Sequence, residues 1–242
     1  MIISTWNIRH GGGKRVNDIL GVLKNNSRSD VYVITEFRNN SNGSKILYFL
    51  KQLGYTYIKT IETEQRINSI LIASKIKYES ELFAELEEHK QRVIKIKTSE
   101  LSIYGCYFPQ KNLKKDVFEF LLKEIKTNKE ENIIITGDFN TGKHFIDEKA
   151  GSFYCSEYLD KLENSGMVDA WRLINGQKKE YSWYSNAGNG FRIDHFFVSD
   201  SITGNIVSCS YSHLFREKKI SDHSMMTLEL KNLKKFQSKI MK

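Results

Sequence analysis

Apolar residues along the chain fall into runs of two kinds. Ile2–Ile8, Asp30–Glu36, Tyr55–Ile61, Asn68–Ser74, Arg92–Lys97, Leu101–Phe108, Asn132–Gly137, Phe191–Ser199, Asn205–Ser210 and Met225–Leu230 are short and rich in Val, Ile, Tyr and Phe. They read as strands, and the uniformly apolar ones as strands buried on both faces. Between them the period lengthens. Val16, Ile19, Leu20 and Leu23 recur at helical spacing, as do Phe118, Leu121, Leu122 and Ile125, which predicts amphipathic helices. Ser44 is expected to cap a further helix that runs toward Leu53 and stops at Gly54. Strands interleaved with helices predict an α/β protein of two packed sheets covered by helices. Pro109 is the only proline, and neither a Gly/Ser-rich linker nor a repeat divides the chain. A single domain over 1–230 with a basic C-terminal tail over 231–242 is therefore expected.

Composition excludes classes rather than choosing one. A chain of 242 residues with 40% hydrophobic and 27% charged side chains can bury a sizeable core, which rules out disordered and collagen-like readings. No run approaches the roughly 18–20 apolar residues of a membrane span. The stretch from Met1 to Trp6 has no basic region or cleavage site of a secretory signal, so a cytoplasmic location is expected. Cys106, Cys155 and Cys209 lack the paired spacing of a disulfide framework or a structural zinc site. Cys106, inside a strand, is expected to be a small core residue. The net charge of +8 points to an anionic partner, but five of the lysines lie in Lys231–Lys242, leaving +3 on the rest. Such a tail is a solvated terminus or an electrostatic tether, and charge alone does not establish nucleic-acid binding.

The chemistry lies in what ends the strands. Val-Tyr-Val-Ile-Thr runs into Glu36, Ile-Ile-Ile-Thr-Gly into Asp138, Phe139 and Asn140, and Phe-Arg-Ile into Asp194 and His195. A carboxylate at the end of a buried strand costs several kcal/mol of desolvation unless it meets a cation or hydrogen-bond donors. Asn7 ends the first strand, and Ser221-Asp222-His223 opens the last. Gathered at one rim, these side chains would supply oxygen ligands suited to Mg²⁺ or Mn²⁺. His223 suits acid–base work better than zinc coordination. Arg9, His10, Lys14 and Arg15 surround a three-glycine stretch and read equally as a solvated loop or as contacts to a nucleic-acid backbone. His89, His144, His195 and His213 belong to no motif and are expected to be structural or exposed.

In this order, Trp6-Asn7, Glu36, Tyr107-Phe108-Pro109, Gly137-Asp138-Phe139-Asn140, Arg192-Ile193-Asp194 and Ser221-Asp222-His223 resemble the endonuclease/exonuclease/phosphatase superfamily. Deoxyribonuclease I, exonuclease III, sphingomyelinases and inositol polyphosphate phosphatases belong to it. The resemblance spans Trp6 to His223 and implies a DNase-I-like four-layer α/β sandwich, two facing mixed sheets covered by helices, with the site at one edge. It implies that Glu36 binds the metal with help from Asn7, and that Asp222 contributes to a metal site. It further implies that Asp138 orients or deprotonates the attacking water and that Asn140 donates to the phosphate, the i, i+2 spacing placing both on one face. Asp194 and His223 are expected to form a carboxylate–imidazole pair that stabilises the transition state. Tyr107 is expected to donate its hydroxyl to the phosphate.

Gly105-Cys106-Tyr107-Phe108-Pro109-Gln110 is similar to the Tyr-x-Pro-Asn of the exonuclease III and abasic-site endonuclease branch, with Gln for Asn. It lacks the His that the phosphatases and sphingomyelinases carry there. Tyr181-Ser182-Trp183-Tyr184-Ser185 and Gly190-Phe191-Arg192-Ile193-Asp194 are similar to that branch too, and imply that Phe191 and Trp183 help line a substrate pocket. Three features depart from it: a short, weakly basic loop between Trp183 and Phe191, Arg9 where some members place an acid, and Ser224 after the Ser-Asp-His triplet. The resemblance thus implies a monomeric Mg²⁺- or Mn²⁺-dependent DNA phosphodiesterase, with Arg9 among the substrate contacts. The rival is a phosphatase or phosphodiesterase for a small phosphorylated metabolite or lipid head group, which the short loop would favour.

Overall fold

A computed structural model describes residues 1–129, 131–231 and 233. In chain order the first half supplies β1 (Ile2–Asn7), β2 (Val31–Phe37), β3 (Tyr57–Thr60), β4 (Ser69–Ser74), β5 (Glu79–Leu82), β6 (Val93–Lys97), β7 (Ser102–Tyr107) and β8 (Ile133–Asp138). The second half adds β9 (Met167–Asp169), β10 (Trp183–Tyr184), β11 (Gly190–Phe191), β12 (Asp194–Ser199), β13 (Ile206–Ser212) and β14 (Met225–Leu230). One six-stranded sheet runs β13-β14-β1-β2-β4-β3, the other β5-β6-β7-β8-β12-β9, and β10-β11 forms a separate ribbon. Both sheets are mixed: β1–β2 and β7–β8 pair in parallel, and the remaining pairs are antiparallel.

The alternation of side chains along each strand sorts them into layers. Val31 and Val33 of β2, Ile70 and Ile72 of β4, Ile103 of β7, Ile134 of β8 and Phe196 and Val198 of β12 meet in one core between the sheets. The intervening Tyr32, Ile34, Leu71 and Ala73 pack outward under α1 (Val16–Asn25) and α2 (Ser41–Gln52). Tyr104, Cys106, Ile133, Ile135 and Phe197 pack under α3 (Lys114–Thr127) and α4 (Glu157–Asn164). The result is the four-layer sandwich that the uniformly apolar strands predict, each buried on both faces, with Cys106 in the core as expected.

Two boundaries differ from the pattern. Asn40, not Ser44, caps α2: its side chain accepts from the Gly43 N–H at 3.1 Å, while Ser44 lies inside the helix. Asn is as good a cap as Ser, and the cap is set by which residue has extended backbone. The stretch Phe191–Ser199 is not one strand. It breaks at Arg192–Ile193, where the Arg192 N–H donates to the Asp147 carbonyl at 2.9 Å and the Ile193 carbonyl accepts from Phe139 N–H at 2.8 Å. The helix stop at Gly54 (φ 88°) agrees with the pattern. β5, β9, β10 and α5 (Ala170–Asn175), which the periodicity does not mark, are short or largely exposed. Among the described residues no helix is long and apolar enough to cross a membrane. Beyond Lys231 and Leu233, the basic tail lies outside the described residues.

Candidate active site

Because β1 and β2 run parallel, as do β7 and β8, their C-terminal ends share one edge of the sandwich; β12, antiparallel to β8, and β14, antiparallel to β1, begin there. Hence Asn7, Glu36, Tyr107, Asp138, Asp194 and His223 converge although they are scattered through the sequence. The first and last motifs are stitched together directly. Ser221 Oγ donates to the Asn7 carbonyl at 2.6 Å, His223 N–H donates to Ser221 Oγ at 3.1 Å, and the Trp6 indole donates to the His223 carbonyl at 3.2 Å. This is the structural reason for the Trp-Asn and Ser-Asp-His pairs.

Backbone strain concentrates at this edge. Glu36 has φ 56° at a bulge where the β2–β4 register shifts between Thr35 and Phe37, so the strand continues one residue past the predicted end. The bulge turns the carboxylate toward the rim. Gly137 has φ 140°, and a Cβ there would stand 1.8 Å from the Cys106 carbonyl oxygen, so only glycine lets β7 and β8 close next to Asp138.

Asp194 and Asp138 are opposed across β12 and β8, and His223 lies between them. Its Nδ1–H donates to Asp194 Oδ2 at 2.9 Å, and Nε2 is 3.9 Å from Asp138 Oδ2. All three are buried. Burial works against a charged ring, but Asp194 and then Asp138 outweigh it and push the His223 pKa up to about 10. For Asp138, burial dominates; His223 opposes it, Asp194 adds to it, and its pKa is pushed up to about 7. Asp138 Oδ2 accepts from Asn7 Nδ2 at 2.9 Å, and Oδ1 from the Asn140 N–H at 2.9 Å. Asn7 Nδ2 also donates to Glu36 Oε1 at 3.1 Å, so one amide ties the two acids together.

Asn140 differs from the i, i+2 expectation. β8 ends at Asp138, Asn140 has φ 52°, and its Nδ2 donates to the Phe108 carbonyl at 2.8 Å, although it still borders the pocket. Tyr107 donates to Glu36 Oε1 at 3.3 Å under the Arg92 guanidinium, 4.6 Å from the ring centroid. Burial, with the Glu36 and Asp138 charges, pushes its pKa up, so it stays a hydroxyl donor.

Glu36, Asp138, Asn140 and His223 border a pocket of about 430 Å³ that also includes Asp222. Trp183 and Phe191 form one wall, their rings 5.6 Å apart and Phe191 edge-on to Phe153 at 5.7 Å. The Trp183 indole donates to Asp222 Oδ2 at 3.4 Å. Arg9 does not border this pocket; it stands on the far side of Asp222, with Nε 3.7 Å from Oδ2.

The site fits a hard divalent cation. Glu36, Asp138, Asp194 and Asp222 gather oxygen donors, while Asp194 Oδ1 and Asp222 Oδ1 are buried without a hydrogen-bond partner. Uncompensated buried carboxylate oxygens are costly unless a cation completes them. Donor atoms of Asp138, Asp194 and His223 lie within 4.8 Å of one another, and in this trio the charged His223 ring is itself the cation that the two carboxylates meet.

Sequence reasoning missed four contributors. Asn68 Nδ2 donates to Tyr107 Oη at 3.4 Å and meets His10 Nδ1 at 3.0 Å. His10 itself, read as part of a loop, lies 2.9 Å from Glu36 Oε2 and donates its N–H there at 2.6 Å. Lys114, buried, donates to the Asn140 carbonyl at 2.5 Å in the pocket wall, and burial lowers its pKa to about 8. Arg192 belongs to the Arg-Ile-Asp motif but sits behind the site, fully buried against Asp147 and Asp169. A lysine in a helix and an asparagine at a strand start carry no sequence signal for this. His195 is buried and structural, with Nε2 donating to the Thr141 carbonyl at 2.8 Å.

No curated protein matches the chain by sequence. Among solved structures, a 3′ phosphatase, NExo from Neisseria, bound to product DNA hairpin, superposes with a TM-score of 0.84 at 19% identity, covering 96% of this chain and 100% of that one. An AP endonuclease from Archaeoglobus fulgidus gives 0.83 at 20% identity, covering 96% and 100%. The 3′-5′ exonuclease NExo from Neisseria meningitidis gives 0.80 at 20% identity, covering 95% and 99%. These likenesses establish the sandwich fold. Residues 4–223 match the model of one family throughout, and on that match the chain belongs to the Endonuclease/Exonuclease/phosphatase family.

Proposed function

We propose that residues 1–230 form a single Mg²⁺- or Mn²⁺-dependent phosphodiesterase domain acting on DNA. The observation that carries this reading is the Asp194–His223 pair aimed at Asp138 inside a pocket lined by further acids. Glu36 and Asp222, helped by Asn7, would hold the ion, which when bound would neutralise charge developing on the phosphate. Asp138, with its proton affinity raised by burial, takes a proton from the attacking water. Water oxygen bonds to phosphorus as the bond to the leaving 3′ oxygen breaks, and that oxygen departs with the electron pair and is protonated from solvent. His223, kept charged by Asp194, stabilises the non-bridging oxygens, and Tyr107 and Asn140 position them. Trp183 and Phe191 offer an apolar wall for sugar or base. The named structural neighbours include a DNA-bound 3′ phosphatase and an AP endonuclease, which supports a DNA substrate.

The competing reading is a phosphatase or phosphodiesterase for a small phosphorylated molecule. The compact β10–β11 turn favours it, closed by the Ser185 N–H donating to the Asn189 carbonyl at 2.9 Å. The test is cleavage of a labelled abasic-site duplex, plain duplex, single strand and an inositol phosphate, each with Mg²⁺ or EDTA. DNA cleavage abolished by EDTA, and lowered at least ~100-fold by Glu36→Gln (about 2.7 kcal/mol of barrier), is the expected result. Full activity in EDTA overturns the metal assignment, and turnover of the inositol phosphate alone overturns DNA.

A further inference from the structure

A second pocket of about 470 Å³ adjoins the first and shares Asp222 with it. Arg9, Arg216 and Lys219 stand in its wall, against the acids Glu217 and Asp222. Arg15 stands behind Arg9 and donates to the Arg9 carbonyl at 3.2 Å. Burial, followed by the Arg9 charge, lowers the Arg15 pKa. Among the described residues Arg15, Arg216 and Lys219 make no ion pair, and Arg9 has only Asp222 at 3.7 Å. Arg216 Nε is buried with no hydrogen-bond partner, and its guanidinium lies 4.3 Å from the centroid of the half-exposed Tyr184 ring. Arg9 and Lys219 both hold left-handed backbone, φ 55° and 58°. Cations gathered around a cavity repel one another, and an anion in the cavity removes that penalty.

We propose that this pocket is a second phosphate subsite, which holds the phosphodiester next to the one being cleaved and stacks the intervening nucleoside on the Tyr184–Arg216 pair. The inference rests on the polynucleotide reading above and extends it. Guanidinium groups match phosphate oxygens in paired hydrogen bonds. An aromatic ring under a guanidinium is a platform on which any base can stack. Because Asp222 is a wall of both pockets, a strand leaving the catalytic pocket passes directly into the basic one. The subsite would select polynucleotide over single phosphoesters at a distance from the reacting atoms.

The test compares Lys219→Glu and Arg216→Gln with wild type on a single-stranded oligonucleotide and on bis(p-nitrophenyl) phosphate, a diester with no neighbouring phosphate. Binding of the fluorescein-labelled oligonucleotide in EDTA is followed across a salt series, and thermal melts confirm that each variant is folded. Lys219 is exposed, so its reversal leaves the core intact. Expected are a rise of ~10-fold or more in KM for the oligonucleotide with kcat retained, and a salt slope flatter by about 0.7 per lost contact. The effect on the small diester should stay below about two-fold, since it reaches no second phosphate site. Equal losses on both substrates, or an unchanged KM and salt slope, overturn the subsite. If wild type hydrolyses the small diester but neither binds nor cleaves the oligonucleotide, the polynucleotide reading falls and the subsite with it. If the oligonucleotide is cleaved and the variants match wild type, the subsite alone falls.

Discussion

Replacing Arg192 with Met is expected to destabilise the protein by about 3–5 kcal/mol at pH 7, the range for removing one partner of a buried ion cluster. Arg192 is fully buried. Nε donates to Asp147 Oδ1 at 2.7 Å and the guanidinium reaches Asp147 Oδ2 at 3.1 Å. It also meets Asp169 at 3.3 and 2.5 Å and lies 5.2 Å from the Trp171 ring centroid. Methionine fills much of the same space, so the loss is chiefly electrostatic: two buried carboxylates would lose their main cation. Arg172 still pairs with Asp147, and His195 Nδ1 stays 3.8 Å from Asp169, which favours the lower part of the range. At about 2–4 °C per kcal/mol for a chain of this size, the melting temperature should fall by roughly 6–20 °C. The pH dependence gives the sharper test. Burial alone would raise both carboxyl pKa values, but Arg192 outweighs it and holds Asp147 and Asp169 below the ordinary range. The wild-type cluster therefore contributes fully above about pH 4 and is lost as pH falls below that toward the depressed values. In the variant both carboxyls lose that hold and protonate at higher pH than in the wild type, so its deficit is full at neutral pH and shrinks as they protonate. Urea unfolding at pH 7, 5.5 and 4, followed by circular dichroism and tryptophan fluorescence, should show the gap between the two proteins closing on acidification. A loss below about 1 kcal/mol at pH 7, or a gap independent of pH, would refute the reasoning.

Asp194→Asn and His223→Ala should each cut turnover severely, with the double variant little worse than the poorer single, because the pair acts as a unit; multiplicative losses in single-turnover assays would separate them. Gly137→Ala should cost at least about 3 kcal/mol in urea unfolding, since overlap with the Cys106 carbonyl adds to the strain of a positive φ, and near-native stability would show that β7 and β8 can part freely. Lys114→Met should preserve stability to within about 1 kcal/mol while lowering kcat/KM roughly ten-fold, because a buried ammonium is replaced by a side chain of similar length and the pocket loses a cation. Full activity in that variant would leave Lys114 with a packing role only.

How much was legible in one dimension follows from what each feature depends on. Burial on both faces leaves an uninterrupted apolar run, so β2, β4, β7 and β8 could be read from residue type alone, whereas the break before β12 could not. Where a carboxylate ends such a run, its cost is visible in the sequence, and Glu36 and Asp138 are marked by it; Asp194 instead opens β12. The short ribbon β10–β11 and the small strand β9 leave no periodic trace, because three residues or fewer cannot establish a period. Arg192 and Asp194 sit two apart in one motif, yet the break at Ile193 sends one behind the site and the other into it. Lys114 acquires its place from the docking of α3 against the end of β8. The raised proton affinities of Asp138 and His223, the Glu36 bulge and the basic pocket beyond Asp222 are likewise products of tertiary structure. Charge–charge and desolvation energies depend on distances through space and on excluded water, and residues 7, 36, 138, 194 and 223 acquire those distances only when parallel and antiparallel strands bring their ends to one rim.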